Sequence, residues 1–156
     1  MKDVYGRRAA REFAFQFLYQ LQYQDLMAGQ QTDPEKLNQN VFTQELSFLA
    51  HAFEETSSVE INSDSRKFAL ELLETIIPHH QEIPNLVKPY LQNWTWERLQ
   101  KVDATILLLS VGEILFYKKT PLAVVIDEAI ELAKKYGTKE SSSFINALLD
   151  NLGKDA

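Results

Sequence analysis

Basic residues crowd the N-terminal end of this acidic chain. Lys2, Arg7, Arg8 and Arg11 lie within its first dozen residues, whereas the 156 residues together carry a formal net charge of −6. Helical periodicity places the three arginines on the opening turns of a helix, where the positive end of the macrodipole disfavours cations. A helix selected for stability alone would carry Asp or Glu there. The arrangement therefore suggests a site for an anion, and guanidinium groups suit phosphate oxygens.

Aromatic side chains share the face of the helix that carries the arginines. At 100° per residue, Phe15 and Tyr19 fall within about 120° of Arg7. Basic side chains interleaved with aromatic rings are typical of single-stranded RNA binding, because phosphates pair with the cations and unstacked bases stack on the rings. The alternative is a solvated face whose aromatic rings are half-buried under a neighbouring helix. The core face lies opposite, on an apolar stripe of Ala10, Phe13, Ala14, Phe17 and Leu21.

A second candidate anion site lies near the C-terminus. There a predicted helix begins with Lys139, the serines 141–143 and Phe144. The backbone amides of a helix N-terminus can hold phosphate. Alternatively, the serines cap the helix and Phe144 belongs to the core.

Catalytic motifs are missing from the sequence. His51, His79 and His80 lack the HExxH spacing, and the sequence contains no glycine-rich phosphate loop, nucleophile elbow or dinucleotide fingerprint. An acidic cluster at 127–131 is followed by lysines at helical spacing, which indicates surface ion pairs. We therefore expect no enzyme activity, no cofactor and no metal site.

Composition limits the class of protein further. The length suits a single domain, predicted over residues 1–156, and the chain contains no cysteine. No apolar run approaches the ~18–20 residues that span a bilayer, and no signal peptide is recognisable. We expect a cytoplasmic protein that does not contact membranes.

Apolar residues recur with a helical period along nearly the whole chain, which predicts an all-α fold of about seven helices. Asp33 is predicted to cap the second helix, and Pro78 to end or kink the third. Thr120 and Pro121 are predicted to be the N-cap and first residue of a later helix, which Gly137 would end in the left-handed conformation.

Three stretches of the sequence resemble the NusB family of bacterial transcription antitermination factors. They are RRAAREFAFQFLYQ, KVDATILLLSVGEI and TPLAVVIDEAIELAKKYGTKESSSFINALLD, and their order and spacing match between residues 7 and 152. Residues 25–95 match only in helical character. The resemblance implies two packed three-helix bundles, no catalysis, and binding of boxA RNA together with NusE, a ribosomal small-subunit protein. It also implies assembly with other Nus factors on RNA polymerase during transcription of ribosomal RNA.

The resemblance also assigns residues to these roles. RNA contacts are implied for Arg8 and Arg11, with Lys2, Arg7 and Tyr19 close by, and for Glu140 and Phe144. NusE contacts are implied for Asp103 and Glu113.

The chain departs from the family pattern at several positions. Leu108 stands where an arginine is common, Gly112 where a tyrosine is common, and Ala147 where a glycine is usual. Ser142 and Ser143 replace basic or polar residues, and fewer positive charges predict a shallower salt dependence of RNA binding.

Two alternatives from other classes remain. One is a helical protein-binding module that forms a homodimer, as some family members do, without specific RNA binding. The other is an enzyme domain, since NusB-like helices also occur fused to RNA methyltransferases, although 156 residues leave no room for a cofactor-binding sheet. For the RNA-binding interpretation, we expect Arg8→Ala and Arg11→Ala to weaken RNA binding and leave the melting temperature nearly unchanged.

Overall fold

A computed structural model describes the backbone of residues 4–23 and 39–156, which is helical with no strand in these ranges. This confirms the all-α prediction. Its α-helices are α1 (Val4–Tyr23), α2 (Gln39–Glu54), α3 (Ser63–Ile76), α4 (Ile83–Val87), α5 (Lys101–Gly112), α6 (Leu122–Tyr136) and α7 (Ser141–Asp155). Lys2 and the predicted helix start at Asp33 lie outside the described residues.

The chain divides into two compact units, residues 1–74 and residues 75–156. The boundary falls near the end of α3, which finishes at Ile76 just before Pro78, as predicted. The single domain inferred from the chain length remains a prediction.

The first unit is built on the predicted apolar stripe of α1, all of which is buried. Phe13 and Phe17 of α1 pack edge-to-face on Phe53 of α2, with ring centroids 5.3 and 5.6 Å apart. Burying a phenylalanine contributes about 1.5–3 kcal/mol relative to leaving it in water, so these rings anchor α2 on α1.

An ion pair joins α2 to α3 within this unit. Arg66 donates from Nε to Glu54 Oε2 over 2.7 Å and from a terminal nitrogen to the other carboxylate oxygen. The hydrogen bond from Arg66 lowers the pKa of Glu54 below its ordinary value. Because both side chains are partly exposed, the pair contributes modestly to stability.

The second unit surrounds α5. Residues 104–112 of this helix are all buried, as expected for a helix that is apolar on every side. A single π-helical turn, Glu113–Tyr117, follows α5 and ends at Lys118, whose φ of 62° lies in the left-handed region. Among the described residues, Lys118 adopts the left-handed conformation that was predicted for Gly137.

Two predicted helix boundaries are wrong in detail. Pro121 is the N-cap of α6 and not its first residue, while the Thr120 hydroxyl donates to the Glu113 carboxylate over 2.6 Å. Gly137 follows α6 with φ −89° and ψ −171°, which is extended backbone that any residue adopts. The Thr120 hydroxyl is thus engaged with Glu113 and does not cap α6.

The departures at Leu108 and Gly112 lie in the interior. Both residues are buried, and a Cβ added to Gly112 would lie 2.5 Å from a side-chain carbon of Ile76. Ile76 thus occupies the space into which a larger residue at position 112 would extend. These two departures therefore alter internal packing in the structure.

Candidate nucleic-acid interface

The basic face of α1 is only partly exposed. Arg7 and Arg8 are exposed, but Arg11 is 4% exposed and Phe15 is 2% exposed. The interpretation that this face is separate from the core is therefore wrong for Arg11 and Phe15. Tyr19 is half-buried, and its ring lies 6.1 Å from that of Phe15.

Phe68 of α3 explains the burial of Arg11. The guanidinium carbon of Arg11 lies 5.0 Å from the centroid of the Phe68 ring, and that of Arg7 lies 4.6 Å from it. Cation–π contacts of this kind contribute about 0.5–2 kcal/mol, more when the cation is desolvated. Arg11 therefore supports the packing of α1 on α3, and the expectation that Arg11→Ala leaves stability unchanged is revised.

A surface hollow of about 370 Å³ adjoins Arg7. Its lining carries two cations and two anions, so its formal charge balances. The residues that line it are Gly6, Arg7, Asp64, Ser65, Lys67, Phe68 and Glu71. Since this hollow does not concentrate positive charge, Arg8 is the stronger candidate for a phosphate contact.

The second unit gathers three of the predicted site residues around one hollow of about 380 Å³, which we call the α5–α7 hollow. Asp103, Glu140 and Phe144 all line it. The complete lining is Trp94, Arg98, Leu99, Gln100, Asp103, Thr138, Glu140, Ser141 and Phe144. The residue assigned to NusE and the C-terminal residues assigned to RNA thus share one surface of this unit.

One oxygen of the Asp103 carboxylate lacks a hydrogen-bond donor. Its Oδ1 is buried and has no hydrogen-bond partner among the described residues. A buried unpaired acceptor costs about 1–3 kcal/mol. A donor supplied by a bound molecule would remove that cost.

The start of α7 is organised by internal hydrogen bonds. The backbone N–H of Thr138 donates to Ser141 Oγ over 2.9 Å, and Ser141 is almost fully buried. This supports the interpretation that the first serine orders the helix start. Phe144 is half-buried at the hollow, so it is neither a core residue nor a fully projecting one.

Glu113 does not present its carboxylate to solvent. The side chain is 1% exposed and accepts the hydrogen bond from Thr120. The structure therefore gives Glu113 a role in holding the turn between α5 and α6, in place of the expected direct contact with a partner.

Trp94 and Arg98 were missed at the sequence level. Trp94 is 56% exposed and lines the α5–α7 hollow beside Arg98. The signal was a tryptophan in the polar, non-periodic stretch QNWTWERL, where no amphipathic helix accounts for a large apolar ring.

His79 makes local contacts within the second unit. The His79 ring stacks on Phe116 with centroids 3.8 Å apart, and its Nδ1 pairs with Glu82. Within residues 4–23 and 39–156, no group of three His, Asp or Glu side chains could hold a metal ion. None of the helices described is both long enough and apolar enough to cross a membrane.

These features define an all-helical protein with a basic helix start and a polar, aromatic hollow. Its sequence matches the NusB family over residues 8–154. The chain belongs to the NusB family, and membership makes it a transcription antitermination protein and not an enzyme.

Individual relatives and solved structures agree with this assignment. The transcription antitermination protein NusB of Thermodesulfovibrio yellowstonii is 38% identical over 150 residues, covering 96% of this chain and 92% of the relative. The NusB of Myxococcus xanthus is 36% identical over 147 residues, covering 94% of each chain. The solved structure of T. maritima NusB has a TM-score of 0.72 at 31% identity, covering 96% of this chain and 91% of that one.

A further solved structure shares the fold. It contains antitermination factors NusB and NusE in complex with double-stranded RNA, and it matches with a TM-score of 0.75 at 24% identity. The match covers 98% of this chain and 99% of that one.

Proposed function

We propose that this antitermination factor binds boxA RNA in nascent transcripts together with NusE. In this proposal it acts in the cytoplasm, with other Nus factors and RNA polymerase, to support transcription of ribosomal RNA. The shared fold with a NusB that is solved in complex with NusE and RNA supports NusE and RNA as the two partners. The RNA contacts proposed are Lys2, Arg7, Arg8 and Tyr19 near the N-terminus, and Glu140 and Phe144 near the C-terminus. The buried Arg11 is assigned instead to the packing of α1 on α3.

The observation that carries the proposal is the exposure of Arg7 and Arg8 on the first turns of α1. Their position opposes the helix dipole in a chain of net charge −6. Phosphate would be attracted both by the guanidinium groups and by the positive end of the dipole. Binding an anion therefore converts an unfavourable placement into a favourable one.

The unpaired acceptor on Asp103 supports a separate contact with NusE. Asp103 lies in the first turn of α5, where its buried Oδ1 would accept a hydrogen bond from a donor on the partner. Because Glu113 is buried, we assign it the positioning of the α5–α6 turn beneath that surface.

Arg8→Ala tests the RNA contact. We expect weaker binding of a boxA-like RNA, a salt slope reduced by about one, and an unchanged melting temperature. Lys154→Ala is the matched control, because it removes one exposed positive charge from the end of α7. If the two variants lose affinity equally, Arg8 contributes only general charge and the proposed contact fails.

Asp103→Lys tests the partner contact. It should reduce affinity for purified NusE without weakening RNA binding by the isolated protein, because the substitution adds positive charge. A loss of RNA binding with NusE affinity intact would place the partner surface elsewhere.

Exposed apolar residues on α2 favour a second candidate, a homodimer. Phe48 is 74% exposed and Leu49 is 40% exposed, and Leu49 lines a hollow of about 250 Å³ with Phe17 and Phe53. Covering such a surface with a second copy would remove apolar area from water. Light scattering of the wild type and of Phe48→Ser decides this: a dimer that the variant dissociates supports the candidate, and a monomeric wild type rejects it.

A further inference from the structure

A second hollow in the C-terminal unit lies beside α7 and has a volume of about 220 Å³. We call it the amide hollow, because the side chains of Gln92, Asn93 and Asn151 line it. Tyr90, Trp94, Phe144, Ala147 and Leu148 complete the lining. None of these eight residues is formally charged.

Two aromatic residues belong to both hollows of this unit. Trp94 and Phe144 line the amide hollow and also the α5–α7 hollow. More than half of the Trp94 surface remains in water, although burying a tryptophan is favourable. An exposed ring at the edge of a hollow offers a flat ligand a surface on which to stack.

The polar lining indicates the chemistry of such a ligand. Each carboxamide of Gln92, Asn93 and Asn151 offers both donors and an acceptor, which is the pattern that reads the edge of a nucleobase. A phosphate would find no cation in the lining of the amide hollow. The ligand that fits is therefore planar, neutral and rich in hydrogen-bonding groups.

One wall of the hollow is held in place by a hydrogen bond. The Tyr90 hydroxyl donates to Asp155 Oδ2 over 2.6 Å and ties the turn Lys88–Tyr90 to the last turn of α7. The amide hollow lies between the elements that this bond connects. A wall fixed before binding lowers the cost of ordering the site around a ligand.

We propose that the amide hollow binds one unpaired base of an RNA strand, with Trp94 as the stacking platform and the carboxamides reading the edge of the base. This inference rests on the proposed RNA-binding function and adds a base-recognition site to it. Phe144 is already assigned to RNA by the resemblance. Trp94, Gln92, Asn93 and Asn151 are new assignments.

Substitutions at the hollow test the site in the full chain. Trp94→Ala should lower affinity for a boxA-like RNA by about 5- to 150-fold, the loss of one stacked base, whereas Trp94→Phe should retain most of the affinity. The salt slope should stay unchanged in both variants, in contrast to Arg8→Ala, because no phosphate contact is removed.

Filling the hollow gives an independent variant. Ala147→Leu places a larger side chain in the lining, and leucine is nearly as good a helix former as alanine. It should weaken RNA binding without lowering the melting temperature. Ala123→Leu is the matched control, because Ala123 is exposed on α6 and lines neither hollow.

Fluorescence reports the stacking directly. The chain contains two tryptophans, so Trp96→Phe leaves Trp94 as the sole reporter. We expect the boxA-like RNA to quench this fluorescence. In a series of RNAs of the same length, each with one abasic position, we expect the quenching to be lost only when the missing base is the one that stacks on Trp94. A helix-disrupting effect would appear at once in the circular dichroism of the variants.

The outcomes separate the two proposals. If the wild type binds no RNA, the proposed function fails and this site fails with it. If the wild type binds RNA and Trp94→Ala and Ala147→Leu bind equally well, only the base site is overturned. If these variants lose NusE binding and keep RNA binding, the hollow docks a protein and the base site is likewise overturned.

Discussion

Gly112 should resist substitution because Ile76 fills the space beside it. A Cβ at position 112 would lie 2.5, 2.9 and 3.0 Å from three carbons of the Ile76 side chain. Ordinary carbon–carbon contacts are about 3.5–4.0 Å, so the nearest atom would have to move by roughly 1 Å. Ile76 is fully buried and β-branched, and it has little freedom to do so.

The expected cost of Gly112→Ala follows from two opposing effects. Overpacking a core costs about 1–3 kcal/mol, and replacing a helical glycine by alanine returns up to about 1 kcal/mol. We expect a net loss of about 1–2 kcal/mol in the free energy of unfolding. For a chain of this size, that lowers the melting temperature by about 2–8 °C.

Equilibrium urea unfolding, followed by circular dichroism, measures this loss. Gly153→Ala is the matched control, because the three atoms nearest to a Cβ there, at 2.6, 2.9 and 3.2 Å, belong to the partly exposed Leu122 side chain, which can rotate away. Ile76→Ala alone should cost about 2–5 kcal/mol, and less in the Gly112→Ala background because the clash is gone. If Gly112→Ala stabilises the protein as much as Gly153→Ala does, Ile76 does not fill the space and the reasoning is refuted.

Three further predictions concern the first unit. Phe13→Ala should lower the free energy of unfolding in urea by about 3–5 kcal/mol, because the ring is almost fully buried. A loss below about 1 kcal/mol would contradict the packing of α1. Arg66→Ala should lose less than about 1 kcal/mol. Because the pKa of Glu54 is lowered in the folded protein, this loss is fully present above pH 4.5 and disappears as the pH falls through the folded pKa. A thermal-melt series in which Arg66→Ala destabilises the protein more in acid than at neutral pH would contradict this pH dependence. Burial and the nearby Glu71 raise the pKa of Glu74. Glu74→Gln should therefore raise the melting temperature at pH 7, where the carboxylate is charged, and have no such effect in acid. Equal effects at both pH values would exclude this cause.

The helices could be predicted because their apolar spacing is local. The stripe on α1 and the all-apolar α5 both became buried surfaces, since a helix of 3.6 residues per turn fixes which side chains share a face. Pro78 ends α3 for an equally local reason.

The environment of the arginines could not be predicted in the same way. Arg11 and Phe15 share a face with Arg8, yet they are buried, and Phe68 lies more than 50 residues further along the chain. Helical angles describe one helix and contain no information about which neighbour covers it. The same limit applies to Glu113, whose burial depends on Thr120 and the turn that carries it.

The C-terminal site was predicted only in part. Asp103 and Phe144 line one hollow, as the resemblance allowed, but Trp94 came from a stretch without helical periodicity. Its position follows from the two short turns between α4 and α5, which no single local motif specifies. The conformation of Gly137 shows the same limit, because glycine permits the left-handed state without requiring it.

A fluorescence-anisotropy titration measures the proposed RNA binding and its dependence on NusE. A short boxA-like RNA and a scrambled control are titrated with the full chain at two salt concentrations, with and without purified NusE. We expect preferential binding of the boxA-like RNA that weakens with salt and tightens when NusE is present. Equal, weak binding of both RNAs, unchanged by NusE, would contradict it.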